Sequence, residues 1–397
     1  MGLNFPARNL TQPVMSSLPL PSPEALAHSQ QLCELIRKDI SLQGGWIPFS
    51  RYMELALYAP GLGYYSAGAN KFGSSGDFTT APELSSLFGR TLARQLADIM
   101  ELSTPHILEL GAGSGKLALD VLSKLEKLDH LPATYSILEV SADLRERQQT
   151  LLQTHLPHLT GRIHWLDALP AHLSGAVIAN EVLDALPVHL VHWSDSRIFE
   201  RGVSSKNEHF SWDERLVETA SLLTIAQQIM VPDDYLSEIS LTARGLVSSL
   251  SDRLDKGAML FIDYGFGARE YYHPQRSSGT LMCHYRHQAH DDPFYLPGLQ
   301  DITSHVDFTA VAESAIDHGA NLLGYTSQAH FLMNGGITDL IGNISPDNSK
   351  EYLPLSAQIQ KLTSPAEMGE FFKVIALGKG IETSLRNFLS GDKSRLL

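Results

Sequence analysis

The stretch Ile107-Leu-Glu-Leu-Gly-Ala-Gly-Ser-Gly-Lys-Leu117 passes from an apolar, strand-like run through three glycines into a helix-forming segment. Gly111, Gly113 and Gly115 let the backbone turn sharply and approach a ligand that any side chain would exclude. Two phosphate-binding patterns fail at defined positions. A dinucleotide fingerprint needs glycine where Lys116 stands, and a phosphate-cradling loop needs glycine at Leu110 and a hydroxyl residue at Leu117. A strand, a glycine turn and a helix remain, with a nucleotide crevice or a ligand-free turn as the two readings.

Outward from this turn, short β-rich runs alternate with helical stretches. Residues 106–110, 135–140, 162–166, 176–180, 259–264, 321–325 and 372–377 supply seven candidate strands. Continuous apolar strands separated by helices predict an α/β fold, a mostly parallel sheet with helices on both faces. Between the fourth and fifth strands, Val188-His-Leu-Val-His-Trp193, Arg197-Ile-Phe-Glu-Arg201 and His209-Phe-Ser-Trp212 read as a small antiparallel insertion with polar turns. Upstream, Ser22 caps a helix whose apolar positions include Leu26, Leu32, Leu35 and Ile36. Thr80 and Pro82 open another, with Leu84, Leu87, Phe88, Leu92 and Leu96 on its apolar face. The predicted organisation is a flexible arm over 1–23, an N-terminal helical cap or lid over 24–100, the first half of the core over 101–200, the insertion over 201–256, and the second half of the core with acceptor-side loops over 257–397.

The chain has 397 residues, 43% of them hydrophobic and 19% charged, enough for a sizeable core and incompatible with wholesale disorder. Its formal net charge of −14 argues against binding a phosphate backbone and suits a cationic partner. Cys33 and Cys283 are too few for a disulfide framework. No apolar run reaches the roughly 20 residues of a membrane span. The first 23 residues carry five prolines, no acid and one base, Arg8, and read as an arm, with a weak transit peptide as the alternative.

Glu109-x-Gly-x-Gly-x-Gly115 resembles the first motif of class I S-adenosylmethionine-dependent methyltransferases, whose sheet has seven strands with the last reversed. The resemblance implies that Glu109 and the glycine turn, with Ala112, hold the cofactor. It further implies that Glu139 pairs with the ribose hydroxyls, and that Asp167, beside Ala168, pairs with the adenine amino group. Longer blocks narrow the match. Leu55–Tyr65, Gly76–Gly89, Ala179–Val188, Asp301–Phe308 and Met368–Val374 are similar to signature blocks of the MidA-like methyltransferases, over about Ile47 to Gly380. That family includes a mitochondrial protein arginine methyltransferase needed for assembly of respiratory complex I. Ala112 stands where the family often has proline, and Val182 with Leu183 replaces an aromatic pair, departures that touch packing rather than chemistry.

Methyl transfer is an in-line displacement that relies on alignment and desolvation and needs no metal. The acceptor approaches the carboxyl end of the sheet beside Asn180, Glu181 and Asp184. For an arginine acceptor, Glu181 can hold the guanidinium by two parallel hydrogen bonds, and Asp184 can assist or take the released proton. Asp77, Phe78 and Thr80 sit in a block suited to fold over the cofactor, and Tyr64 and Tyr65 can line an acceptor channel. Cys283, His284, His287, His290, Asp291 and Asp292 lie close in sequence, but their spacing does not match a helical zinc pair, so no metal site is assigned. The predicted activity is methylation of an arginine on a protein partner, without nucleic acid or membrane insertion. A non-catalytic assembly chaperone that keeps the cofactor fold, and a small-molecule N- or O-methyltransferase, remain open. The predicted compartment is the cytoplasm, or the mitochondrial matrix for a eukaryotic relative.

Overall fold

The computed structural model describes residues 18–67 and 80–397. Residues 1–17 of the expected arm, and Asp77 and Phe78, lie outside the described residues. Helix α1 (Pro23–Leu42) begins where the Ser22 hydroxyl accepts the Ala25 amide, and it packs Leu32, Ile36 and Ile40 with Phe49, Tyr52 and Met53 of α2 (Phe49–Tyr58). The single helix expected after Thr80 is two helices, α3 (Ala81–Leu84) and α4 (Ser86–Leu102). Ser85 between them is extended. Its hydroxyl accepts the Leu87 amide and donates to Gln358 Oε1, so it caps a new helix instead of continuing the old one.

The core strands are β1 (His106–Leu110), β2 (Thr134–Leu138), β3 (Ile163–Leu166), β4 (Leu173–Asn180), β5 (Leu254–Phe266), β6 (Asn321–Ser327) and β7 (Phe372–Lys379). Their order across the sheet is β6-β7-β5-β4-β1-β2-β3. β7 runs antiparallel to both its neighbours, and the remaining pairs are parallel. A two-residue strand, Val306–Asp307, pairs with the end of β5 and makes an eighth. The central strands β4, β5 and β7 are almost continuously buried because both faces are covered. On one face Ile107, Ile178 and Leu260 meet α4 and α5 (Lys116–Lys127) through Leu96, Val121 and Leu122. Helix α6 (Ala142–His155) connects β2 to β3 and buries only Gln148 and Leu152. On the other face, Leu108, Val177 and Phe261 meet α7 (Leu241–Arg253) and α8 (Phe308–Ile316) through Val247, Leu250 and Val311.

The antiparallel insertion begins at His189, ahead of the 201 boundary. Its strands are His189–Ser194, Arg197–Lys206, His209–Leu216 and Tyr235–Ile239, and Trp46–Pro48 joins its edge from far upstream. Asp195-Ser196 and Asn207-Glu208 adopt positive φ at both residues, the geometry of two-residue hairpin turns that match strand twist. Helix α7, inside the 201–256 range, packs on the core sheet instead, as does α4 from the 24–100 range.

His192 on the first insertion strand lies between Glu214 and Asp234, each contact 3.0 Å. Burial pushes its pKa down, the two carboxylates push it up, and the net shift is upward. A pKa raised on folding gives stability that is fully present below the unfolded value and is lost as pH climbs through the folded one. The denaturation midpoint should therefore fall as pH rises from near the ordinary imidazole value of 6.5. Substituting His192→Gln should flatten that slope in a pH series of thermal melts.

Candidate active site

Beyond β1, the Gly111 amide donates to the Leu138 carbonyl at 3.0 Å and carries the β1–β2 ladder into the turn. Gly113 has φ +53°, and a Cβ built there would meet nothing within 4 Å, so the turn offers bare backbone to open space. Ala112 packs its methyl into the core. Lys116, which breaks the dinucleotide fingerprint, braces the turn instead. Its Nζ donates to the Glu83 carbonyl at 3.0 Å, while the Ser114 hydroxyl donates to the Glu83 carboxylate. These two bonds fasten α3, with Thr80 at its start, to the glycine turn.

Glu109 is buried in the sheet and accepts the Tyr135 hydroxyl at 2.7 Å. Burial pushes its pKa up to about 7, opposed by that hydrogen bond and aided by Glu139. Glu139, at the end of β2, is also buried. One carboxylate oxygen accepts the Ser141 amide and the other accepts Gln148 Nε2, both at 3.0 Å. Burial raises its pKa, against these bonds and Arg145. Asp167 projects into solvent and pairs with Arg145 at 2.8 Å, and Ala168 beside it is exposed.

The turn after β4 gathers three carboxylates. Asp263, on β5, accepts the Leu183 amide at 3.0 Å and the Asp184 amide at 3.2 Å through one oxygen, and the Tyr264 amide through the other. Asp184 accepts the Tyr264 hydroxyl on Oδ2, while its Oδ1 is buried with no hydrogen-bond partner among the described residues. Glu181 has φ +52°, unusual for a residue with a side chain, and its amide donates to Ile262 O at 2.9 Å. Asn180 Nδ2 donates to Glu181 Oε1 at 3.1 Å, and Asn180 Oδ1 is likewise buried without a partner among the described residues.

Burial, then Asp184 and Asp301, push Glu181 up to about 8, while Asn180 and the Ala81 amide oppose the shift. Burial pushes Asp184 up to about 6 against the Tyr264 bond, and burial with Asp184 and Glu181 holds Asp263 well above the carboxylate range. Among the described residues no Lys, Arg or His forms an ion pair with any of the three. A wall completes the site. Tyr58 donates to the Ala185 carbonyl at 3.0 Å and stacks on Tyr65 at 5.5 Å, Tyr65 donates to Asp301 at 2.9 Å, and the Ser304 amide reaches the Asp184 carbonyl at 3.0 Å.

The fold thus brings Asn180, Glu181 and Asp184 together at the carboxyl end of the sheet. Glu109 lies on β1 beneath that edge, and Asp167, immediately past the end of β3, is exposed. Sequence reasoning passed over Asp263, Asp301 and Gln148. Asp263 was the findable one, being an acid near the carboxyl end of a predicted core strand.

Residues 91–326 match a family model of S-adenosyl-L-methionine-dependent methyltransferases. The mitochondrial "Protein arginine methyltransferase NDUFAF7 homolog" of Drosophila melanogaster is 31% identical over 91% of this chain and 89% of its own length. The human protein arginine methyltransferase NDUFAF7 is 28% identical over 84% of this chain and 80% of its own. A Burkholderia thailandensis protein crystallised with S-adenosyl-homocysteine superposes with a TM-score of 0.92 at 49% identity, covering 96% of this chain and 100% of that one.

A carboxyl whose pKa rises on folding favours the fold when protonated, so Glu181 withholds stability as pH climbs from 4.5 through about 8. Glu181→Gln should therefore melt higher than the wild type near pH 9, by roughly 2–4 °C for each kcal/mol of relieved desolvation and repulsion, and equally near pH 4. Differential scanning calorimetry at the two pH values checks this.

Proposed function

Because the chain belongs to the family of S-adenosyl-L-methionine-dependent methyltransferases, we propose that the group it methylates is the guanidinium of an arginine on a protein partner. One observation carries this reading: Asp184 and Asp263 are buried beside the half-buried Glu181, and among the described residues no Lys, Arg or His forms an ion pair with any of them. Burying a cluster of carboxylates is costly unless a charged, hydrogen-bonding group joins them. A guanidinium suits that place, since it stays protonated and presents paired N–H donors to a carboxylate. The arginine methyltransferase names of the relatives agree with this reading.

S-Adenosylmethionine, when bound, supplies an electrophilic methyl group carried on a sulfonium. The residues present fit it: bare backbone at Gly113, an orphaned acceptor at Asn180 Oδ1, and a buried carboxylate at Glu139 with lone pairs to spare. In this reading Gly111, Gly113 and Asn180 receive the methionine portion, Glu139 the ribose hydroxyls, and Asp167 with Ala168 the adenine. Glu109 acts from beneath, through Tyr135. Thr80 contributes from the start of α3.

Glu181 holds the guanidinium by two of its N–H groups and draws positive charge away from the nitrogen that reacts. Asp184, whose Oδ1 has no other partner among the described residues, takes the proton that this nitrogen loses. Tyr58, Tyr65 and Asp301 wall the approach and keep water from the carboxylates. We place the reaction in the bacterial cytoplasm or, following the relatives' names, in the mitochondrion of a eukaryote. The partner resembles a respiratory complex I subunit by family resemblance.

Incubating the protein with methyl-labelled S-adenosylmethionine and native lysate should put label into a protein band and, after hydrolysis, into methylarginine. Glu181→Gln should lower kcat/KM by about 100-fold or more, as expected for loss of a preorganised electrostatic contact. Label confined to the small-molecule fraction, or to methyllysine, would overturn the arginine reading.

A further inference from the structure

Gln148 is the one polar side chain that α6 buries completely, and all of its amide is used. Nε2 donates to the Gly113 carbonyl at 2.9 Å and to Glu139 Oε2 at 3.0 Å, while Oε1 accepts Trp165 Nε1 at 2.9 Å. A primary amide whose donors and acceptor are matched in this way has one orientation, because flipping it would set N–H against N–H and oxygen against oxygen. A Cβ on Gly115 would lie 3.2 Å from Gln148 Cγ, so α6 and the glycine turn are already in contact and the side chain has no room to swing away.

The three partners belong to three separate segments. Gly113 lies in the turn after β1, Glu139 at the end of β2, and Trp165 on β3 just before Asp167. Glu139 spends one lone pair of each oxygen on Ser141 and Gln148, and both bonds come from the protein side. The Val140 amide also favours the charged carboxylate, and the lone pairs these groups do not use are left for a diol.

We infer that Gln148 is the positioning residue of the cofactor site. It sets the distance between the backbone that receives the methionine portion and the carboxylate that receives the ribose, and Trp165 locks its amide. Gln148 does not touch the cofactor; it acts through Glu139 and Gly113. This inference rests on the proposed role of Glu139, and the experiment separates the two.

Calorimetric titration uses S-adenosyl-homocysteine and its 2′,3′-dideoxyadenosyl counterpart. Wild-type protein should prefer the hydroxylated ligand by about tenfold or more, the worth of hydrogen bonds to a charged acceptor. Gln148→Leu keeps the volume and removes the amide. It should erase most of that preference, weakening S-adenosyl-homocysteine about tenfold more than the dideoxy ligand, whose smaller loss reports the Gly113 contact. Retained preference, or equal loss for both ligands, would overturn the positioning role. Should Gln148→Leu fail to fold, Trp165→Phe decides, since it frees the amide without touching the turn: a reduced preference supports the role and an unchanged one contradicts it. Glu139→Gln is the control for the underlying reading. If that variant keeps the wild-type preference, the ribose assignment fails; if it loses the preference while Gln148→Leu keeps it, only the positioning role fails.

Discussion

The carboxylate of Asp263 governs the geometry of the site. By accepting the Leu183 and Asp184 amides it bends the chain immediately after β4, and the bend forces Glu181 into a left-handed backbone conformation at the rim of the sheet. Two buried acids, Asp184 and Asp263, and the half-buried Glu181 are thereby gathered at one end of the sheet, each with its protonated form favoured. Such an arrangement weakens the fold at neutral pH, and proteins keep weaknesses of this kind where function needs them. The sheet can carry the burden because both its faces are sealed by apolar helices.

Cofactor and acceptor halves meet through α3. Its first amide faces Glu181, and its Glu83 is gripped by Ser114 and Lys116 of the glycine turn. A four-residue helix thus bridges the two sides of the crevice. Gln148 does the same on the cofactor side, between the glycine turn and Glu139. The insertion contributes from outside the core: its edge takes up Trp46–Pro48, which orients α2 and therefore the Tyr58 that holds the Ala185 carbonyl.

The sheet was legible because its central strands β4, β5 and β7 are nearly continuous apolar runs bounded by turn residues, and Gly111, Gly113 and Gly115 mark the switch from strand to helix. The candidate residues Asn180, Glu181 and Asp184 were legible because they end or follow a strand. What escaped was everything whose partner is distant in sequence. Asp263 acts 80 positions from Leu183, Gln148 acts 35 from Gly113, and Tyr65 reaches Asp301 across 236. No periodicity reports such pairings. Ser85 escaped for a local reason, since its hydroxyl competes with the helix backbone in a stretch that otherwise reads as one helix. The orientation of Asp167 also lay beyond the sequence, because its pairing with Arg145 depends on how α6 packs.

A crystal structure of this protein with S-adenosyl-homocysteine and an arginine-containing peptide is the most direct measurement. The account predicts a guanidinium paired through two N–H groups with Glu181, the homocysteine sulfur facing it across Asn180, and the ribose hydroxyls on Glu139. A guanidinium bound elsewhere while Glu181 remains solvated, or a sulfur turned away from the three carboxylates, would contradict it.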